Sequence, residues 1–129
     1  DRTVQSVADL EDHSLAVILG TQGDREARDW SRRSEHLTVV QYATPTGALD
    51  ALERGETDAA LADRVSVLEA IGEGMSLAIV GEPVIRVPYA IAMRRDSQRL
   101  LREINRALAS IREDGTYDQL VTEWLKGEG

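Results

Sequence analysis

Two places in this 129-residue chain combine residue types that could hold a small charged ligand. The first is Gly20-Thr21-Gln22-Gly23, which follows an apolar run and precedes a helical pattern starting near Asp24. Its glycines permit a tight turn, Thr21 offers a hydroxyl, and the free N–H groups at a helix start suit a carboxylate or phosphate. The same turn also serves as a plain strand-to-helix connection, with Asp24 capping the helix. The second place is Asp63, directly after another apolar run. A carboxylate there either caps the next helix or meets a ligand cation such as an ammonium group. Amide donors with a hydroxyl at one strand end and a lone acid at another are what an α-amino-acid zwitterion requires.

Other chemistry finds little support. Cysteine is absent, which removes disulfides, thiolate catalysis and sulfur-ligated zinc. His13 and His36 have no Asp, Ser or second His at a spacing that makes a triad or a metal clasp, and both read as surface residues. No phosphate-loop lysine and no Gly-x-Gly-x-x-Gly occurs. Trp30 and Trp124 fall at inward helical positions, and Glu11-Asp12 and Glu53 to Glu56 read as solvated faces. Hydrophobic residues make up 42% of the chain, enough for one folded domain, while the net charge of -8 disfavours nucleic acid and anionic membrane as primary partners. No run of about 18 apolar residues could span a bilayer, and Asp1-Arg2-Thr3 does not open a signal peptide. With no Phe and 4% aromatics, the chain is poor in residues that bind by stacking.

The elements that must position Thr21 and Asp63 are legible in the hydrophobic pattern. Continuous apolar runs at 14–19, 37–42, 58–62, 77–80 and 87–93 predict five short strands, buried on both faces rather than amphipathic. Between them the pattern predicts helices: 24–34, with Ala27 and Trp30 inward; 45–54, with Thr44 as N-cap, Pro45 in the first position and Gly55 in a left-handed stop; and one carrying Val65, Leu68 and Ile71, ending near Gly72. From Asp96 the spacing Leu100, Leu101, Ile104, Ala107, Leu108, Ile111 makes a helical stripe stopped by Gly115, and Tyr117, Leu120, Val121, Trp124 and Leu125 make another. Strands alternating with helices imply an α/β domain with a mainly parallel sheet, whose ligands sit at the carboxyl ends of strands. That rule directs attention to the loops after Leu19 and Leu61.

Three segments then carry a resemblance. Val7-Ala8-Asp9-Leu10-Glu11-Asp12-His13-Ser14-Leu15-Ala16-Val17 with Gly20-Thr21, the stretch from Ala48 through Asp63, and Pro88 through Arg95 followed by Asn105 through Leu120 and Glu123-Trp124-Leu125 resemble family 3 extracytoplasmic solute-binding proteins, the polar amino-acid receptors of ABC importers. The resemblance spans nearly the whole chain and implies a type II periplasmic-binding-protein-like lobe with a mainly parallel five-stranded sheet, flanked by helices and followed by C-terminal helices. It implies no cofactor and no enzymatic activity. In the family a two-lobe clamp closes on an amino acid, with Thr21 and the backbone at Gln22 gripping the carboxylate and Asp63 the ammonium. Ile18 and Ala62 occupy positions that help choose the ligand side chain; being uncharged, they would not favour Lys, Arg, Glu or Asp. Two departures stand out: a small residue, often Thr, is usual at the place of Gln22, and Arg64 is an uncommon charge beside Asp63.

The resemblance also implies a division of the chain. Residues 1–6 correspond to the tail of a crossover segment, 7–86 to the second ligand-binding lobe, and 87–129 to a strand and helices that in the family return to the first lobe. That lobe, which supplies an Arg for the ligand carboxylate and aromatic walls, has no counterpart in the sequence, so the expectation is an excised or naturally truncated C-terminal half. Half a clamp would bind at millimolar strength or not at all. At about 25 cal/mol per Å2, leaving Leu100, Leu101, Ile104, Leu108, Ile111 and Trp124 in water would forgo several kcal/mol, so self-association through these helices is expected. The implied partners are a small amino acid and an importer permease, in an extracytoplasmic setting. The runner-up is the sensor domain of a histidine kinase or of a cell-wall lytic enzyme, which uses the same clamp. Prephenate or arogenate dehydratases resemble the fold but need a general acid aimed into the cleft, and none is evident. The Gly115-Thr116-Tyr117 ending argues against the effector domains of LysR-type regulators.

Overall fold

A computed structural model describes residues 4–86 and 90–124. The chain divides into two compact units, residues 1–86 and 87–129. In the first unit a 3-10 turn, Val7–Leu10, leads into β1 (Ser14–Ile18), α1 (Gln22–Arg33), β2 (Thr38–Tyr42), α2 (Pro45–Glu53), β3 (Ala59–Leu61) and α3 (Arg64–Gly72). The strands form a parallel sheet in the order β2-β1-β3. Ser14 pairs with Thr38 and Ile18 with Tyr42 on one side of β1, and Leu15 with Ala59 and Val17 with Leu61 on the other.

The central place of β1 follows from its composition. Leu15, Ala16, Val17 and Ile18 are all buried, so both faces of this strand are covered. Period-two alternation sends Leu15 and Val17 to one face, where they meet Leu10, Ala27 and Leu37 with Trp30 packed alongside. Ala16 and Ile18 point to the other face, against Ala48, with Tyr42, Ala60 and Ala62 around them. The result is a three-layer α/β unit with α1 on one side and α2 on the other. At the amino end of the sheet Asp58 locks the register, its Oδ2 accepting from the Ser14 backbone N–H at 2.8 Å and the Ser14 hydroxyl at 2.9 Å. Beside it, Thr57 is only 3% exposed, and its Oγ1 has no hydrogen-bond partner in the structure.

Several expectations need correction. Among the described residues the sheet has three strands: Leu77–Val80 forms none, and Ala90–Met93, the described part of the fifth predicted run, is also irregular. Isolated extended chain is not a strand without a ladder partner, and Ile79 and Val80 are exposed. The rest of the fifth run, residues 87–89, and Leu125 lie outside the described residues. β2 is an edge strand and is only partly buried, unlike β1. On α3, Val65 is exposed, and the buried residue is Ala70. Helix starts are better matched: Thr44 caps α2 with Pro45 in its first position, and Gly55 takes a φ of 75°.

In the second unit, α4 (Gln98–Glu113) and α5 (Thr116–Trp124) are joined through Gly115 at a φ of 84°, a left-handed value that glycine adopts without a Cβ clash. The Arg112 guanidinium lies 5.1 Å from the centroid of the Tyr117 ring. Neither helix contains a buried residue. Leu100, Leu101, Tyr117 and Leu120 are exposed, and Trp124, expected inward, is 70% exposed. No described helix is long and apolar enough to cross a membrane.

Candidate ligand-binding site

Because β1 and β3 are parallel neighbours, the chain leaves both at the same edge of the sheet. After β1 it turns through Leu19 and Gly20, with Gly20 at a φ of 80°, and enters α1 with Thr21 as N-cap. After β3 it passes Ala62 and enters α3 with Asp63 as N-cap. The two helix starts are drawn together by Gly23. A Cβ built there would stand 3.2 Å from Leu61 Cδ2, so the first turn of α1 sits directly on the last residue of β3, two positions before Asp63. Thr21, Gln22 and Asp63 thus lie at the ends of adjacent strands, and all three are exposed.

Hydrogen bonds in the β1–α1 turn leave a small set of donors available. Leu19 N–H donates to the Tyr42 carbonyl at 2.8 Å, Thr21 N–H to the Ile18 carbonyl at 3.2 Å, and Arg25 N–H to the Thr21 carbonyl at 3.3 Å. Gly20 N–H donates to Asp24 Oδ2 at 2.9 Å, and Asp24 N–H to Thr21 Oγ1 at 3.2 Å. Among the described residues, the amides of Gln22 and Gly23 remain as first-turn donors without an acceptor. They sit at the positive end of the α1 dipole. The Thr21 hydroxyl is engaged as well, donating to the Ile18 carbonyl at 2.7 Å. A carboxylate arriving here meets two backbone amides first.

Asp63 performs the capping role: Oδ2 accepts from the Ser66 backbone N–H at 2.9 Å and Oδ1 from the Ser66 hydroxyl at 2.8 Å. An ionised carboxylate has about four lone-pair sites, so capping and acceptance from an ammonium group are compatible. Arg64 is the first residue of α3 and is exposed. Ile18 and Ala62 pack in the same apolar cluster, so the structure brings them together, although Ile18 is only 8% exposed.

Asp24, which the sequence offers only as a possible cap, supports the turn from within α1, and the cap itself is Thr21. Asp24 is fully buried, accepts from Gln41 Nε2 at 2.7 Å in addition to Gly20 N–H, and pairs with Arg28 Nε at 3.2 Å. The Gln41 and Gly20 hydrogen bonds hold its pKa below the ordinary aspartate value against the opposing effect of burial. The Thr21-x-x-Asp24 spacing, a capping-box signature, was the available signal. The bridge to Gln41 joins side chains 17 positions apart, and no local pattern announces it.

The histidines lie at the opposite edge. His13 precedes β1 and places Nδ1 2.8 Å from the Glu11 carbonyl oxygen; His36 precedes β2 and faces Asp12 at 3.5 Å. An open groove of about 440 Å3 lies at that end, walled by residues that include Val7, Trp30, Arg33 and His36. It opens beside the carboxyl end of α1, where the helix dipole repels an anion. Among the described residues no group of three or more acids and histidines could hold a metal.

Comparison with known proteins agrees with this architecture. A family profile described as bacterial extracellular solute-binding proteins, family 3, matches residues 16–127. The chain belongs to this family. Such proteins are solute-binding and extracellular by the family's own description. This family 3 chain is 31% identical over 126 residues to a putative amino-acid ABC transporter-binding protein of Vibrio harveyi, PatH, covering 95% of the chain and 50% of that protein. It is similar in structure to an ancestral arginine-binding protein bound to arginine, with a TM-score of 0.70 and 28% identity over 96% of the chain and 55% of the other. It is also similar, at a TM-score of 0.67 and 25% identity, to an ancestral amino acid-binding protein described as a precursor of cyclohexadienyl dehydratase; 96% of the chain and 52% of that protein are covered. The chain therefore spans about half the length of the relatives it matches.

Proposed function

We propose that the chain is an amino-acid-binding module of an ABC importer receptor, contributing the lobe that meets both charged ends of the ligand. The carboxylate docks on the Gln22 and Gly23 amides beside Thr21, and the ammonium group on Asp63. Ile18 and Ala62 border the ligand side chain and add no charge to it. The observation that carries this reading is the seating of Gly23 on Leu61, which sets two unpartnered amides next to the strand that delivers Asp63. Residues 7–86 act as the second lobe of the clamp, and the segment from 87 onward as the part that returns to the first. The module works outside the cytoplasm, delivers to a membrane permease and catalyses no reaction. Both histidines stand at the far edge of the sheet from Thr21, so neither serves as a general acid at this site.

The test is a melting-temperature series across the twenty amino acids. For a millimolar Kd, ligand at about ten times Kd stabilises by roughly 1.4 kcal/mol, which raises Tm by a few degrees. A rise with one or more amino acids, absent with their carboxamide derivatives, supports the reading; no rise with any of them overturns ligand capture by this chain alone. The exposed stripes of α4 and α5 support self-association of the isolated chain. Light scattering at high concentration is expected to show a species larger than one chain, and Leu101→Glu to reduce it; a strictly monomeric wild type contradicts that part.

A further inference from the structure

We infer that Asp24 is a positioning residue for ligand capture: by accepting Gly20 N–H and being anchored to Gln41 of β2, it fixes the turn that presents the Gln22 and Gly23 amides. This rests on the amino-acid-binding reading above and adds to it the group that aims the cradle. The turn contains Gly20 in a left-handed conformation, which glycine occupies about as readily as its alternatives. A glycine hinge of this kind must be held from outside. Leu19 is held by the β2 backbone and Thr21 by its own bonds to Ile18, so Gly20 is the one residue of the turn whose amide is tied by a side chain, that of Asp24 four positions on. That side chain is itself tied at both oxygens, Oδ1 by Gln41 and Arg28 and Oδ2 by Gly20 and Arg28. The link therefore runs from the edge strand β2, through a buried carboxylate, to the turn at the end of β1. It touches no ligand directly. Its placement beneath the cradle also fills Gly20 N–H, so that an incoming carboxylate is directed to the next two amides.

The experiment measures backbone amide exchange and amide shifts by NMR on the wild type, Asp24→Ala, Asp24→Asn and Gln41→Ala, with L-arginine and L-glutamine as probes. Asp24→Asn keeps an acceptor for Gly20 N–H, and the Gln41 amide can reverse to accept from the new Nδ2. The expected result is Gly20 exchange faster on the order of tenfold in Asp24→Ala, as loss of a charge-assisted hydrogen bond implies, with Val17 exchange unchanged. The probe-induced shifts of Gln22 and Gly23 should weaken in parallel and return in Asp24→Asn. A merely structural role would speed Gly20 and Val17 together. Should Asp24→Ala fail to fold, Gln41→Ala gives the same readout at a smaller amplitude. Unchanged Gly20 exchange in Gln41→Ala and in any folded Asp24→Ala overturns the inference, as does unimpaired probe binding. A wild type that shows no shift with either probe overturns the role of Asp24 in capture of these ligands, while the Gly20 exchange rates separately report whether it holds the turn.

Discussion

The two units contain amphipathic helices of similar legibility, yet only one unit buries them. In the first, Ala27 of α1 and Ala48, Leu49 and Ala51 of α2 are buried, Ala27 and Ala48 against the sheet; in the second, α4 and α5 contain no buried residue. The difference lies in what each stripe has to pack on. β1 gives both faces of the sheet continuous apolar cover, whereas the stripes of α4 and α5 have only part of their apolar surface shielded. An apolar stripe at helical spacing thus specifies a helix and a face, and the partner of that face has to come from elsewhere in the fold. The candidate ligand site is built entirely within the first unit.

Truncation on the two sides should separate them most sharply. Leu15→Ala, in the core of β1, is expected to cost about 2–5 kcal/mol, and Leu100→Ala, on the exposed face of α4, no more than about 0.5 kcal/mol. Paired urea melts at low protein concentration check this; comparable losses would mean that the α4 face is covered in solution. Next in size is the acid response of the first unit. Hydrogen bonds from the Ser14 backbone and hydroxyl hold the Asp58 pKa below the ordinary aspartate value. Its contribution is therefore complete above the ordinary value and disappears as pH falls through the depressed one. Stability followed from pH 6 down to pH 2 should decline at the acid end, and Asp58→Asn should flatten that decline. An equal slope in the variant would remove Asp58 from the account. A modest effect of opposite sign is expected at Thr57. Its buried hydroxyl has no partner, so Thr57→Val should raise stability by about 1 kcal/mol. A loss of that size would show that the hydroxyl is paired after all.

Much of the first unit was legible because its signals are local. The run Leu15 to Ile18 announced a strand covered on both faces, and Thr44-Pro45 and Gly55 marked the ends of α2 through capping geometry and a positive φ. Thr21 and Asp63 were legible as residues at strand ends, which parallel pairing then placed at the same edge of the sheet. What the sequence did not disclose depends on distant neighbours. Leu77–Val80 has the composition of a strand but no ladder to join, β2 has the same composition but lies at the edge, and the Asp24–Gln41 bridge joins two elements with no local pattern between them.

The central claim is that both poles of an amino acid are met at the carboxyl ends of β1 and β3. Mapping amide shifts on titration with a free L-amino acid, and then with its N-acetyl derivative, tests it most directly. The account predicts that the free amino acid moves the Gln22 and Gly23 amides together with Ser66, whose amide is bonded to Asp63. The acetylated form, lacking the ammonium group, should leave Ser66 unmoved and bind more weakly. Shifts gathered at the opposite edge around Trp30 and His36, or equal binding of the two forms, would contradict it.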